Sequence, residues 1–277
     1  MRYWQALAQR PAPLRLGVFV AVWLLPWLPL AALAAWLLPT RPSAETVASA
    51  GGAFVLFVGL LRVWGRRVQR VRQPLRYYGL TTTPAAGRDA LQGFGVGAAA
   101  IAGLLATEVG LGWALLQPPA LALPRLLGEG LLSALGVGLA EELVFRGWLL
   151  QELQRDYAAG TALWASAGIY ASLHYVQPLP QLLQSLPALP GLIVLGAALA
   201  WARRARGGEL GLAIGLHAGL VWGHYAIDVG ELVRYPVELP TWATAFDGHP
   251  AASATGFLLL GGIALRLRRA ARRRQPR

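Results

Sequence analysis

The stretch Ala140-Glu141-Glu142-Leu143-Val144-Phe145-Arg146-Gly147 sets three ionisable residues close together in a run, about Leu126 to Leu150, that is otherwise mostly apolar. A charge near the centre of a bilayer costs about 2.5 to 3.5 kcal/mol on insertion scales, so three unpaired charges would offset most of what the surrounding leucines contribute. They must pair, neutralise or reach water. Glu142 and Arg146 are four residues apart and share one helix face, which allows an ion pair. Glu141 points about 100° away from Glu142 and has no partner on its own helix. A carboxylate so placed, in an apolar setting, is the kind of group that serves as a general base near neutral pH.

The rest of the chain makes a membrane setting the natural one. Of its 277 residues 56% are hydrophobic, eleven are tryptophan and none is cysteine, which excludes disulfides and thiolate metal sites. Eight apolar spans are expected, at about 16–38, 47–63, 91–116, 126–152, 161–176, 182–201, 210–226 and 252–267. The expected fold is therefore an all-α, polytopic membrane protein of one domain, 1–277, with its site inside the helix bundle.

All 25 basic residues are arginine, and they cluster between the spans. In a soluble protein a net charge of +12 would suggest nucleic acid; here the placement points instead to anionic lipid headgroups. Counted alternately, one side of the membrane collects 3, 7, 1, 3 and 7 arginines, and the other collects only Arg41, Arg125 and Arg234. This asymmetry predicts a cell-membrane protein with both termini in the cytoplasm.

Three of the four histidines lie in or at the ends of spans: His174 in the fifth, and His217 and His224, seven residues apart, in the seventh. His249 lies in a loop and is assigned no role. Glu141, His174 and His217 come from three different spans. Together they could supply a base, an imidazole to position water and a further donor, which is what hydrolysis of a carbonyl needs.

Glu-Glu-x-x-x-Arg from Glu141 to Arg146, aromatic-x-x-x-His from Tyr170 to His174, and the histidine at His217 resemble the motifs of the CPBP intramembrane proteases. That group includes the Rce1-type CAAX prenyl endopeptidases and the bacterial Abi proteins. The similarity covers about 126–226, spans four to seven. It implies peptide-bond hydrolysis within the membrane, with Glu141 activating water, His174 holding it and His217 supporting the developing oxyanion. Glu142 and Arg146 match the remainder of the first motif and serve mainly as a structural ion pair.

Two positions depart from the family pattern. Tyr170 stands where phenylalanine is usual, and Val221 stands four after His217, where a polar residue such as asparagine is usual. Trp222, Tyr175 and His224 are the candidates for replacing that donor.

One glutamate and two histidines would also suit zinc. If Glu141 were a ligand, however, a separate base would be required, and Glu142 is engaged with Arg146. No cofactor is therefore expected, with a zinc-dependent version as the alternative. The expected substrate is a membrane-associated protein or peptide. The rival readings are an inactive scaffold or immunity protein of the same fold, favoured by Val221, and a transporter relaying protons through Glu108, Glu141 and the histidines.

Overall fold

Helix is the dominant conformation because a lipid-facing chain must satisfy its backbone groups within each segment. The computed structural model describes residues 2–176, 182–183, 186–236, 240, 243–245 and 250–274. Pro178 and Pro180, expected to end the fifth span, lie outside the described residues, as do His249 and the loop acids Glu238 and Asp247. Among the described residues, five helical stretches are long and apolar enough to cross a membrane: Ala12–Leu37, Ser43–Arg67, Pro84–Gly110, Leu123–Leu153 and Leu186–Ala205.

The chain forms two compact units, one of Met1–Tyr78 with Gln151–Tyr157, the other of Gly79–Leu150 with Ala158–Arg277. In the first, α1 (Arg2–Ala8) precedes α2 (Ala12–Leu37) and α3 (Pro42–Arg67), and α4 (Pro74–Tyr77) follows. Helices α2 and α3 run antiparallel, with the Phe19 and Phe57 rings 5.6 Å apart. The indole N–H groups of Trp23 and Trp27 donate to the carbonyls of Ala53 and Ser49, at 2.9 and 3.1 Å. Helix α2 continues through Pro26 and Pro29 without a break.

Arg15, counted from sequence among the loop cations, is instead buried in this unit. Its Nε lies 3.0 Å from Glu152 Oε2, and its Nη1 lies 3.2 Å from Asp156. Glu152 also accepts from the Trp64 indole at 2.9 Å and from the Gln69 amide. A guanidinium this deep is stable only when its donors are taken up, and this cluster takes them up. The arginine-rich segment 62–76 likewise buries Trp64 and Val68.

The second unit contains α5 (Pro84–Gly110), α6 (Leu123–Glu141), α8 (Ala159–Leu173), α9 (Leu189–Ala205), α10 (Gly211–Asp228) and α11 (Ala254–Arg274). Between α6 and the four-residue α7 (Leu150–Leu153), residues Glu142–Leu149 form a π-helix. Thr83 caps α5, its hydroxyl oxygen accepting from the Ala86 N–H at 3.2 Å. The apolar residues after Gly110, expected to extend that span, form instead the short strand β1 (Leu115–Leu116). It pairs antiparallel with β2 (Val233–Arg234).

Glycine brings α5 and α10 into backbone contact. A Cβ on Gly215 would fall 1.8 Å from the Ala90 carbonyl oxygen, one on Gly219 2.2 Å from that of Phe94, and one on Gly97 2.4 Å from that of Leu216. Helices in lipid lack a hydrophobic drive toward each other and gain by close approach of small residues. Here that approach fixes α10, which carries His217, against α5.

Candidate active site

The first motif sits where the helix widens. In the π-helix the Leu150 N–H reaches back five residues to the Phe145 carbonyl. Ser166 Oγ donates to the same carbonyl at 3.1 Å, and Arg203 Nη1 donates to the Arg146 carbonyl at 2.6 Å. Side chains of α8 and α9 thus hydrogen-bond the carbonyls that the irregular turn turns outward. Arg203, which sequence places in a loop cluster, is a buried brace of this turn.

Glu142 is 0% exposed and Arg146 1%. Arg146 Nη1 donates to Glu142 Oε1 at 2.8 Å, and its Nη2 donates to the Gly196 carbonyl at 3.3 Å. Its guanidinium carbon also stands 4.1 Å from the centre of the Tyr170 ring. The i,i+4 pair expected from sequence is present, and tertiary contacts complete it.

His217, from the middle of α10, joins the two acids. Its Nδ1 lies 2.9 Å from Glu142 Oε1, and its Nε2 lies 3.8 Å from Glu141 Oε2. An ionised carboxylate only accepts hydrogen bonds, so Nδ1 carries the proton and Nε2 is the atom turned toward Glu141. Glu141 keeps 31% of its side chain exposed, whereas Glu142 keeps none. The two neighbouring glutamates are therefore unlike in environment, as their helix positions suggest.

His174 is the residue immediately after the last turn of α8, whose helix ends at Leu173. Its Nδ1 lies 2.9 Å from the Tyr170 carbonyl oxygen, so that nitrogen is the donor, and in the neutral ring Nε2 is the acceptor. The Tyr170 ring lies between the two imidazoles, 4.6 Å from that of His174 and 6.3 Å from that of His217. Phe145 closes the other side of that ring at 5.1 Å.

A largely apolar cleft of about 150 Å³ opens beside these residues. His174, His217 and His224 line it, together with Tyr170 and Val221. Of the three candidates to replace a donor at Val221, Trp222 is already engaged: its single N–H donates to the Leu127 carbonyl at 3.1 Å. His224 faces the cleft, and Tyr175 is not among its lining residues. Glu108 is buried elsewhere, accepting from the Tyr235 hydroxyl and the Ala245 N–H, so it clamps the segment after α10.

Sequence reasoning missed that Glu142 orients His217 as well as neutralising Arg146. It also missed Arg203 and Ser166, since nothing local marks a cation or hydroxyl that will reach a distant carbonyl. Among the described residues no three of His, Cys, Asp and Glu converge as ligands to one metal would.

No curated protein and no solved structure matches the chain. Residues 123–223 match the model of a family described as type II CAAX prenyl endopeptidase Rce1-like. With its several membrane-length apolar helices, this is a multi-pass membrane protein that is similar over 123–223 to the Rce1-like family.

Proposed function

We propose that the protein is an intramembrane endopeptidase. It hydrolyses a peptide bond of a membrane-associated protein or peptide with water activated by Glu141. The observation that carries this reading is His217, held by Glu142 through Nδ1 and presenting Nε2 to Glu141. Glu141 withdraws the proton from water, and the acceptor nitrogen of His174 holds that water for attack. With a proton on Nε2, His217 is the donor that the tetrahedral oxyanion requires; as that intermediate collapses, the C–N bond breaks and Glu141 returns the water proton to the leaving amine nitrogen. The carboxylate of Glu142 fixes the ring and balances Arg146.

The same geometry supports a mechanism without a metal, because Glu142 is committed to Arg146 and to His217 Nδ1 and is not available as a replacement base. About one zinc per purified chain, with chelator-sensitive cleavage, would overturn that part. A proton relay through Glu108 is poorly served, since both of its carboxylate oxygens accept hydrogen bonds from the segment after α10. An inactive scaffold remains the reading that Val221 favours, and an assay decides it.

The eight-span layout with both termini cytoplasmic belongs to the same proposal. Helices α8, α10 and α11 stand at the three expected spans beyond the five apolar stretches. Helix α8 has 15 residues, about 22 Å, and is short for a bilayer.

The deciding experiment is cleavage of a labelled transmembrane or prenylated peptide by the purified protein. Glu141→Gln is expected to lower turnover by about 10²- to 10⁴-fold, as loss of a general base does. His174→Ala should do likewise, with membrane insertion unchanged in both. Undiminished turnover in both variants would remove the catalytic reading.

A further inference from the structure

Away from the catalytic cleft, the second unit has a basic cavity of about 220 Å³ where α8 begins and where α9 and α11 end. Arg204, Arg268 and Arg272 line it, with Trp164, Trp201 and Gly160. The two indoles meet edge to face at 5.8 Å, and the Arg268 guanidinium carbon lies 5.7 Å from the centre of the Trp201 ring. Arg204 Nη2 donates to the Ala159 carbonyl, which holds its guanidinium at the start of α8.

Three guanidinium groups around one small space repel one another unless an anion lies among them. Among the described residues none of the three is paired with an acid, although Arg15, Arg125, Arg146, Arg155 and Arg206 all are. Helix α8 also begins without a side-chain cap at Ala158, so its first N–H groups and the positive end of its dipole add to the site.

The position of the cavity selects the anion. Helix α9 is apolar from Leu189 to Ala200 and then turns to Trp201, Arg203 and Arg204. Trp164 is 51% exposed beside it. Tryptophan followed by arginine at the end of an apolar helix marks the depth of lipid headgroups. Leu163 contributes an apolar wall.

We propose that this cavity binds the phosphate of an anionic glycerophospholipid, with the arginines on the phosphate and the indoles against the glycerol and upper acyl chain. A zwitterionic headgroup is a poorer match because its own cation would face three arginines.

The test uses the full chain in zwitterionic lipid discs and titrates in an anionic phospholipid, reading bound lipid by native mass spectrometry. Arg268→Gln with Arg272→Gln should weaken retention by about twenty-five-fold, from roughly a fivefold contribution per arginine near a headgroup. Arg269→Gln with Arg273→Gln removes equal charge from the same helix but does not touch the cavity. That control should weaken retention less than fivefold.

Equal losses in the two double variants would overturn the site in favour of general surface attraction. Equal retention of zwitterionic lipid would overturn it as well. Displacement of the lipid by millimolar inorganic phosphate would show a site for free anion, and the lipid assignment would fail.

Discussion

Glu142 and Glu141 are adjacent, yet the surrounding contacts give them opposite environments. Glu142 lies with no exposure between Arg146 and His217, whereas Glu141 keeps about a third of its side chain exposed and places its buried Oε2 3.8 Å from the same ring. Removing the charge of Glu142 therefore strands a buried guanidinium. Breaking such a pair costs about 3 to 5 kcal/mol. Glu142→Gln is expected to lower the unfolding midpoint in detergent well below that of Glu141→Gln, and also to reduce turnover because His217 loses its orienting acceptor. Equal midpoints for the two variants would contradict this division. Spacing alone revealed the Glu142–Arg146 pair because both residues lie on one helix. The His217 contact joins residues 75 apart and depends on how α10 is placed.

At the scale of elements, α10 is placed by α5. Gly93 and Gly97 on α5 face Gly211, Gly215 and Gly219 on α10 or their neighbours, and the space at Gly215 cannot hold a methyl group without moving the Ala90 backbone. Gly215→Ala should separate the helices and shift His217, two residues on, away from Glu141. Destabilisation of about 1 to 3 kcal/mol is expected from the overpacking, with loss of turnover, measured by thermal unfolding and peptide cleavage. Gly95→Ala is the control. Nothing lies within 4 Å of a Cβ there, so it should be neutral or mildly stabilising, as alanine favours helix over glycine. A similar loss in both variants would count against the glycine contact. The π-helix is a second local feature with tertiary support: its outward carbonyls are met by Ser166 and Arg203, from two other helices.

For the whole molecule, the arginine asymmetry makes a prediction that the absence of cysteine renders easy to test. Single substitutions Arg41→Cys and Arg125→Cys should react with an impermeant thiol reagent in intact cells. Arg10→Cys and Arg269→Cys should react only after permeabilisation. All four positions are exposed, so accessibility should report sidedness and not burial. Labelling of Arg269→Cys in intact cells would reject the cytoplasmic C-terminus. Neither Arg15 nor Arg203 is suitable for this purpose, because both are buried and hydrogen-bonded within the protein.

The chain's own order of residues determined that it would be helical and membrane-borne, and that Glu142 would pair with Arg146. Long apolar runs must satisfy their backbones internally, and residues four apart on a helix are neighbours. Which imidazole meets which carboxylate, which arginines turn inward and where the helix widens were decided by tertiary structure. Each of these depends on side chains from distant helices meeting at hydrogen-bond range, and such meetings are set by packing, not by local spacing.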